Sequence, residues 1–160
     1  MNRSDMCETG KYVERGIWGM DGYQTEYVVD KEQYLVLVPP ELEPVGVLCE
    51  PLSVAEKAIF EAVHLQTTRQ PDASVHPDWL RGRRCLVAGM GPIGLLAALV
   101  VRLRGADVYG LDIVDAGTAR PVCLEKIGGT YVDGRQVTPD KVDVALGPME
   151  LIMESLNYIF

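Results

Sequence analysis

Three glycines, at residues 89, 91 and 94, constrain the architecture of this chain more than any other feature. In Val87-Ala88-Gly89-Met90-Gly91-Pro92-Ile93-Gly94 they keep the G-x-G-x-x-G spacing between an apolar run, Cys85-Leu86-Val87-Ala88, and a helical one, Ile93 to Leu103. At such a junction Gly89 permits a tight turn, Gly91 lets the backbone approach a pyrophosphate, and Gly94 lets the helix pack closely on the strand. Pro92 and Ile93 open the helix. The N–H that Pro92 lacks has no intrahelical partner at that position, and the free N–H groups and dipole of the helix start favour an anion.

Beyond the loop, Val108 to Ile113 reads as a second strand, Arg120 to Ile127 as a weaker helix ended by Gly128-Gly129, Tyr131-Val132 as a short strand, and Glu150 to Glu154 as a fourth. Strands alternating with helices predict an α/β fold with a Rossmann-type parallel sheet, here partial, that takes a nicotinamide dinucleotide. Asp112 ends the second strand at close to the spacing, about 20 residues, at which a carboxylate accepts the ribose hydroxyls. The following residues are Ile113, Val114 and Asp115, with no Lys or Arg among them, so NAD is favoured and NADP is the second choice. Arg120 is the residue that moderates this preference. A methyltransferase uses a similar glycine-rich first turn and acidic residue and stands as another enzyme class.

Upstream, Gln24 to Val38 is rich in Tyr, Val and Leu around the turn-prone Asp30-Lys31-Glu32 and reads as two short strands stopped by Pro39-Pro40. Val54, Ala55, Ala58, Ile59, Ala62 and Val63 recur at helical spacing, with Ser53 as cap and Glu56 three residues on completing a capping box. Thr67 to Arg81, broken by Pro71 and Pro77, reads as a connecting loop. The expected organisation is therefore 1–66, a linker over 67–81, and a nucleotide-binding domain over 82–160.

The formal charge of −8 and the lack of a clustered basic run argue against a nucleic-acid partner. The longest apolar run falls short of the roughly 20 residues that cross a bilayer, so no membrane span is expected. The first residues lack a secretory signal, which makes the cytoplasm the expected compartment. Cys7, Cys49, Cys85 and Cys123 show no short metal spacing and read as small hydrophobes of a reducing compartment, Cys7 as a free thiol and Cys49 packed beside Glu50. His64 and His76 are expected to be structural or surface residues, and Asp140 and Asp143 a solvated face.

The glycine loop, preceded by Cys49-Glu50-Pro51-Leu52, resembles that of the zinc-containing medium-chain dehydrogenases. Cys7-Glu8-Thr9-Gly10, Glu14, Gly16-Ile17 and Met20-Asp21-Gly22-Tyr23 resemble their glucose dehydrogenase branch. The resemblance implies that residues 1–66 are the C-terminal part of a GroES-like β-rich catalytic domain with its core helix. It implies oxidation of an aldose such as glucose to its lactone, hydride passing to NAD(P) while zinc polarises the hydroxyl. Glu50 stands where the family places a carboxylate at or near the catalytic zinc. Glu14 matches a sugar-binding glutamate, and Cys7 the last of four structural-zinc cysteines.

The family carries its other zinc ligands in an upstream segment that this sequence does not contain, and its sheet continues beyond the fourth strand. The expectation is therefore part of a longer dehydrogenase, catalytically incomplete alone, with zinc doubtful, a small sugar or alcohol as partner, and room for homo-oligomers through an open sheet edge. A non-catalytic dinucleotide-binding or interaction module is the alternative, and another zinc alcohol or polyol dehydrogenase, or the methyltransferase, the third.

Overall fold

The structure is a computed structural model that describes residues 8–136 and 151–154; Cys7, Asp140 and Asp143 lie outside them. The chain packs as two compact units, Met1–Pro40 and Glu41–Phe160.

In the first unit, β1 (Glu14–Arg15) and β2 (Gly19–Met20) form a minimal pairing. Its tight loop is held by the Trp18 N–H donating to the Glu14 carbonyl at 2.7 Å and the Gly16 N–H to the Met20 carbonyl at 2.8 Å. The two strands expected within Gln24 to Val38 do not form; one 3-10 turn, Glu32–Tyr34, is the regular structure there. A strand exists only against a partner edge, and none of the described residues offers one to this segment. Tyr27, Val29, Val36 and Leu37 are exposed accordingly.

At the start of the second unit a 3-10 stretch, Pro40–Leu48, leads into α1 (Cys49–Gln66), which buries Ala55, Ile59 and Val63, one residue per turn along a single face. The helix starts earlier than the sequence suggests. Leu48 is its N-cap without a side-chain bond, and Ser53, inside the first turns, donates its hydroxyl back to the Glu50 carbonyl at 2.6 Å. The expected capping box at Ser53 and Glu56 is thus absent, because Cys49 and Glu50 already have helical geometry ahead of it. Glu56 instead pairs with Arg104 beyond the next helix.

The connecting stretch is more ordered than its composition implies. Pro77–Leu80 forms a 3-10 turn capped by the His76 ring, whose Nδ1 accepts from the Asp78 N–H at 3.3 Å, and Trp79 and Leu80 are buried. Arg83 stacks 4.3 Å from the Trp79 ring centroid and pairs with Asp72.

From there the chain runs β3 (Arg84–Ala88), α2 (Pro92–Leu103), β4 (Asp107–Asp112), α3 (Ala119–Ile127), β5 (Thr130–Asp133) and β6 (Leu151–Glu154). The strands make one parallel sheet in the order β5-β4-β3-β6, with Cys85 opposite Val108 on one side and Leu151 on the other. Gly128 ends α3 in the left-handed conformation, φ 87°, which glycine adopts without strain. The core lies between α1, α2 and the sheet, built from Ile59, Val63, Ala97, Ala98, Val101, Val87 and Leu124 among others. The α/β fold with its partial Rossmann-type sheet is as the sequence implies.

Candidate functional site: a nucleotide loop at the sheet crossover

Strand order reverses at β3. The chain passes from β3 to β4 to β5 in one direction, and β6 then returns to the opposite side of β3. In open parallel sheets ligands bind beyond the carboxyl ends of the strands at such a reversal, where the two neighbouring connections leave in opposite directions and open a crevice. The glycine loop follows β3 at that place.

Each glycine there has a separate geometric reason. Gly89 takes φ 87°, turning the chain away from the sheet just after its N–H has donated to the Leu111 carbonyl at 2.7 Å. A Cβ on Gly94 would stand 1.8 Å from the Gly89 carbonyl oxygen, so the helix packs against the loop's own backbone. Around Gly91 the situation is reversed: a Cβ there would meet nothing within 4 Å. That side of the loop is open to a ligand.

Gly91 is also the N-cap of α2, extended at φ −68° and ψ −177°, and no side chain caps the helix; Pro92 is its first residue. The N–H groups of Ile93 and Gly94 belong to the first turn, which has no intrahelical acceptors, and they are left to an outside anion.

Asp112, at the end of β4, is tied to this loop more closely than sequence spacing reveals. Its Oδ2 accepts the Met90 N–H at 2.9 Å and Arg120 Nη1 at 3.3 Å, while Oδ1 accepts the Ile113 N–H at 2.7 Å. Burial pushes the carboxyl upward, but the bonds from Met90, Ile113 and Arg120 outweigh it and hold Asp112 below the ordinary aspartate value. It is a carboxylate at neutral pH.

Several residues that support the site were not singled out by motif. Met90 is fully buried, and Gly110 makes room for it: a Cβ there would stand 2.4 Å from Met90 Sδ and 2.3 Å from Leu124 Cδ2. The Tyr131 hydroxyl lies 3.0 Å from the Asp112 carbonyl and 2.5 Å from that of Val114, fastening the turn after β4. Arg135 bonds Asp133 at 2.7 Å and Asp115 at 2.9 Å. Its bonds draw the Asp133 carboxyl down to about 2. Apart from the local Arg135–Asp133 pair, these contacts join segments far apart in sequence, which no short-range signal marks.

Glu14 is exposed on β1 in the first unit, and Glu50 is exposed in the first turn of α1 in the second. Cys49, expected to be packed, is exposed beside Glu50, ahead of Ala55, the first buried residue of α1. Cys85 is buried and Cys123 exposed. His64 is exposed and stacks on Phe60 at 6.0 Å between ring centroids. Among the described residues no three His, Cys, Asp or Glu side chains converge on a point that would hold a metal ion. The described residues by themselves therefore do not complete a zinc site, whereas the open Gly91 face and the uncapped start of α2 fit the pyrophosphate of a dinucleotide.

Residues 43–158 match the family model for the C-terminal part of glucose dehydrogenase. Glucose 1-dehydrogenase 2 of Vulcanisaeta moutnovskia is 40% identical over 97% of this chain and 43% of its own length. The structure of Haloferax mediterranei glucose dehydrogenase in complex with NADP, Zn and gluconolactone superposes with a TM-score of 0.77 at 31% identity, over 94% of this chain and 41% of that one. Galactitol-1-phosphate dehydrogenase of Escherichia coli shares the fold, with a TM-score of 0.69 at 21% identity over 92% of this chain and 39% of that one. The chain thus spans about two fifths of the length of these relatives. On the family model's match over most of its length, this chain belongs to the glucose dehydrogenase branch of the zinc-containing medium-chain dehydrogenases.

Proposed function

We infer that this chain binds a nicotinamide dinucleotide at the loop Gly89–Gly94, as part of a dehydrogenase that oxidises an aldose such as glucose to its lactone. The observation that carries the binding half is the contrast within the loop, where Gly94 is jammed against the Gly89 carbonyl while Gly91 faces open space. A turn that merely needed glycine for its bend has no use for an open face over an uncapped helix start. The nicotinamide cofactor supplies hydride acceptance when bound. Gly91, Pro92, Ile93 and Gly94 would hold its pyrophosphate, and Asp112 would face the ribose.

The substrate half rests on kinship: relatives that this chain matches are called glucose 1-dehydrogenases, and a structurally similar glucose dehydrogenase was solved with gluconolactone. In that reading residues 1–66 are part of the catalytic domain, 67–81 the linker and 82–160 the nucleotide-binding domain. Glu14 would accept sugar hydroxyls and Glu50 would stand at the metal. Among the described residues no further His, Cys, Asp or Glu side chains gather with Glu50 to complete a metal site.

The test is calorimetric titration of the purified chain with NAD+ and, separately, S-adenosylmethionine, alongside Asp112→Ala. Binding of NAD+ that weakens in the variant, without binding of S-adenosylmethionine, is the expected result. A folded sample that takes no dinucleotide overturns the assignment, and preference for S-adenosylmethionine turns it into a methyltransferase-type site.

A further inference from the structure

We propose that a cavity at the opposite end of α2 from the nucleotide loop is a second binding site, for a small aromatic carboxylate. The inference does not depend on the dinucleotide reading above. The cavity has a volume of about 260 Å³ and is lined by Phe60 and Val63 of α1, Val75 and His76 of the connecting stretch, Leu80 of its 3-10 turn, and Arg104. Gly91 opens α2 and Arg104 closes it, so the 12-residue helix separates the two places by about 18 Å.

The walls are apolar and only partly covered by the protein itself. Val63 and Leu80 are buried, while Phe60 is 42% exposed and Val75 51%. The Phe60 ring stacks on His64, 12° between planes, which holds it as a flat wall. An apolar cavity of about 150 Å³ already takes a benzene ring, so this one has room for a ring and a short acid-bearing arm. It is smaller than the roughly 300–1,000 Å³ of sites for drug-sized ligands. A single ring is therefore the size class.

Charge selects an acid. The chain carries a formal −8, yet the two segments that run on from the lining residues, 81–84 and 102–107, hold Arg81, Arg83, Arg84, Arg102 and Arg104 against a single acid, Asp107. They lie side by side, the Gly82 N–H donating to the Gly105 carbonyl at 2.8 Å and the Asp107 N–H to that of Arg83 at 2.9 Å. The carboxyl end of α2 opposes an anion with about half an elementary charge, which these guanidiniums outweigh. The surface ion pairs of Arg81 with Asp78 and Arg83 with Asp72 are of the weak, solvent-screened kind.

Arg104 is the charge on the cavity wall itself. Its side chain is 22% exposed, and among the described residues its guanidinium has one side-chain acceptor, Glu56, which is 47% exposed. A guanidinium has five N–H donors in a planar fork that matches carboxylate oxygens, so Arg104 keeps donors for a second acid. With its Nδ1 accepting the Asp78 N–H at 3.3 Å, the His76 ring carries its proton on Nε2, a further donor. A neutral aromatic would leave those donors unmet, and a bare inorganic anion would leave Phe60 and Val75 uncovered. A molecule with both a ring and a carboxylate uses the whole lining.

The probe is 3-phenylpropionate, titrated into the isotope-labelled full chain and followed by amide NMR. Phenylpropanol, which lacks the charge, and propionate, which lacks the ring, are the controls. Saturable binding with a Kd of about 1 mM or tighter is expected, with shifts centred on Phe60, Val63, Val75 and Leu80 and no displacement by NAD+. Each control should bind at least about tenfold more weakly. Glu56→Gln, which releases Arg104 from its partner, should tighten the acid about threefold. Arg104→Gln should weaken it about tenfold, and Val75→Trp, which fills the cavity, should abolish binding, the spectrum of each variant reporting its fold. On wild type alone, no saturation below about 10 mM, the alcohol binding as well as the acid, displacement by NAD+, or shifts centred on Gly89 to Gly94 each overturn the inference. So does a folded Glu56→Gln that binds the acid no more tightly than wild type. The NAD+ titration is read separately, so failure here leaves the dinucleotide reading standing.

Discussion

Tyr27 to Val38 and Cys85 to Asp112 are both rich in apolar residues, yet only the second contributes to a sheet. The difference lies in what each segment brings with it. Cys85 to Asp112 contains two strands and the helix that must cross between parallel neighbours, so β3, α2 and β4 form a closed unit whose apolar faces cover one another. Tyr27 to Val38 has the composition of strands without an edge to pair with among the described residues, and Val29 is 96% exposed and Val36 88%. Strand propensity describes a fit to a surface that other residues must supply.

The sharpest way to break this contrast is in the core. Ile59 is fully buried on α1 between Ala55 and Val63, in the cluster that also holds Ala97, Ala98 and Val101. Ile59→Ala should cost about 3 kcal/mol, the transfer loss of the side chain plus the cavity it leaves, read by urea unfolding. A loss below about 1 kcal/mol would mean that α1 is not anchored to the nucleotide-binding unit. Next in size is Gly94→Ala, expected to cost about 2 kcal/mol, because the added methyl meets a backbone carbonyl at 1.8 Å and neither the loop nor the helix can yield cheaply. Gly91→Ala serves as its control. With nothing within 4 Å of the new Cβ it should leave stability within about 0.5 kcal/mol while weakening dinucleotide binding.

The same contrast explains what could be read from the sequence. The glycine loop, α1, α2, the parallel strands and Asp112 were legible because each depends on local periodicity or fixed spacing: Ile93 to Leu103 is a helix by its own pattern wherever it packs. The start of α1 was not. Ser53 and Glu56 have the residue types of a cap, but the chain was already helical four residues earlier, and a cap is defined by where helical geometry begins. Nor were the ties that shape the ribose pocket. Tyr131 to Asp112 and Val114, Arg135 to Asp115 and Met90 to Asp112 each join residues about twenty positions apart, and only the sheet register brings them together. Trp79 and Leu80 were hidden in a stretch whose prolines and polar residues read as loop.

A smaller effect probes the rim of the pocket through pH. The bonds from Arg135 draw Asp133 down to about 2, below the ordinary unfolded value near 3.9. A depressed folded pKa contributes stability that is present above about pH 4 and is lost as pH falls through about 2. Carboxyl carbon shifts followed by NMR should place the Asp133 midpoint near 2, and Arg135→Ala should return it toward the ordinary range. An unchanged midpoint would show that Arg135 does not hold this acid in solution.

The smallest expected effect falls on the segment that did not become a sheet. Val36 is 88% exposed and belongs to no ladder, so Val36→Ser should change stability by less than about 0.5 kcal/mol, as surface substitutions away from packed features do. The measurement is urea unfolding at two protein concentrations. A loss of more than about 1 kcal/mol at both concentrations would mean that this face is covered within the chain in solution. A loss that appears only at the higher concentration would mean that it is covered by a second copy, which exposed apolar surface of this kind promotes. Either result would remove the distinction between the two segments, for it would show that the strand-rich sequence at Tyr27 to Val38 does find an edge.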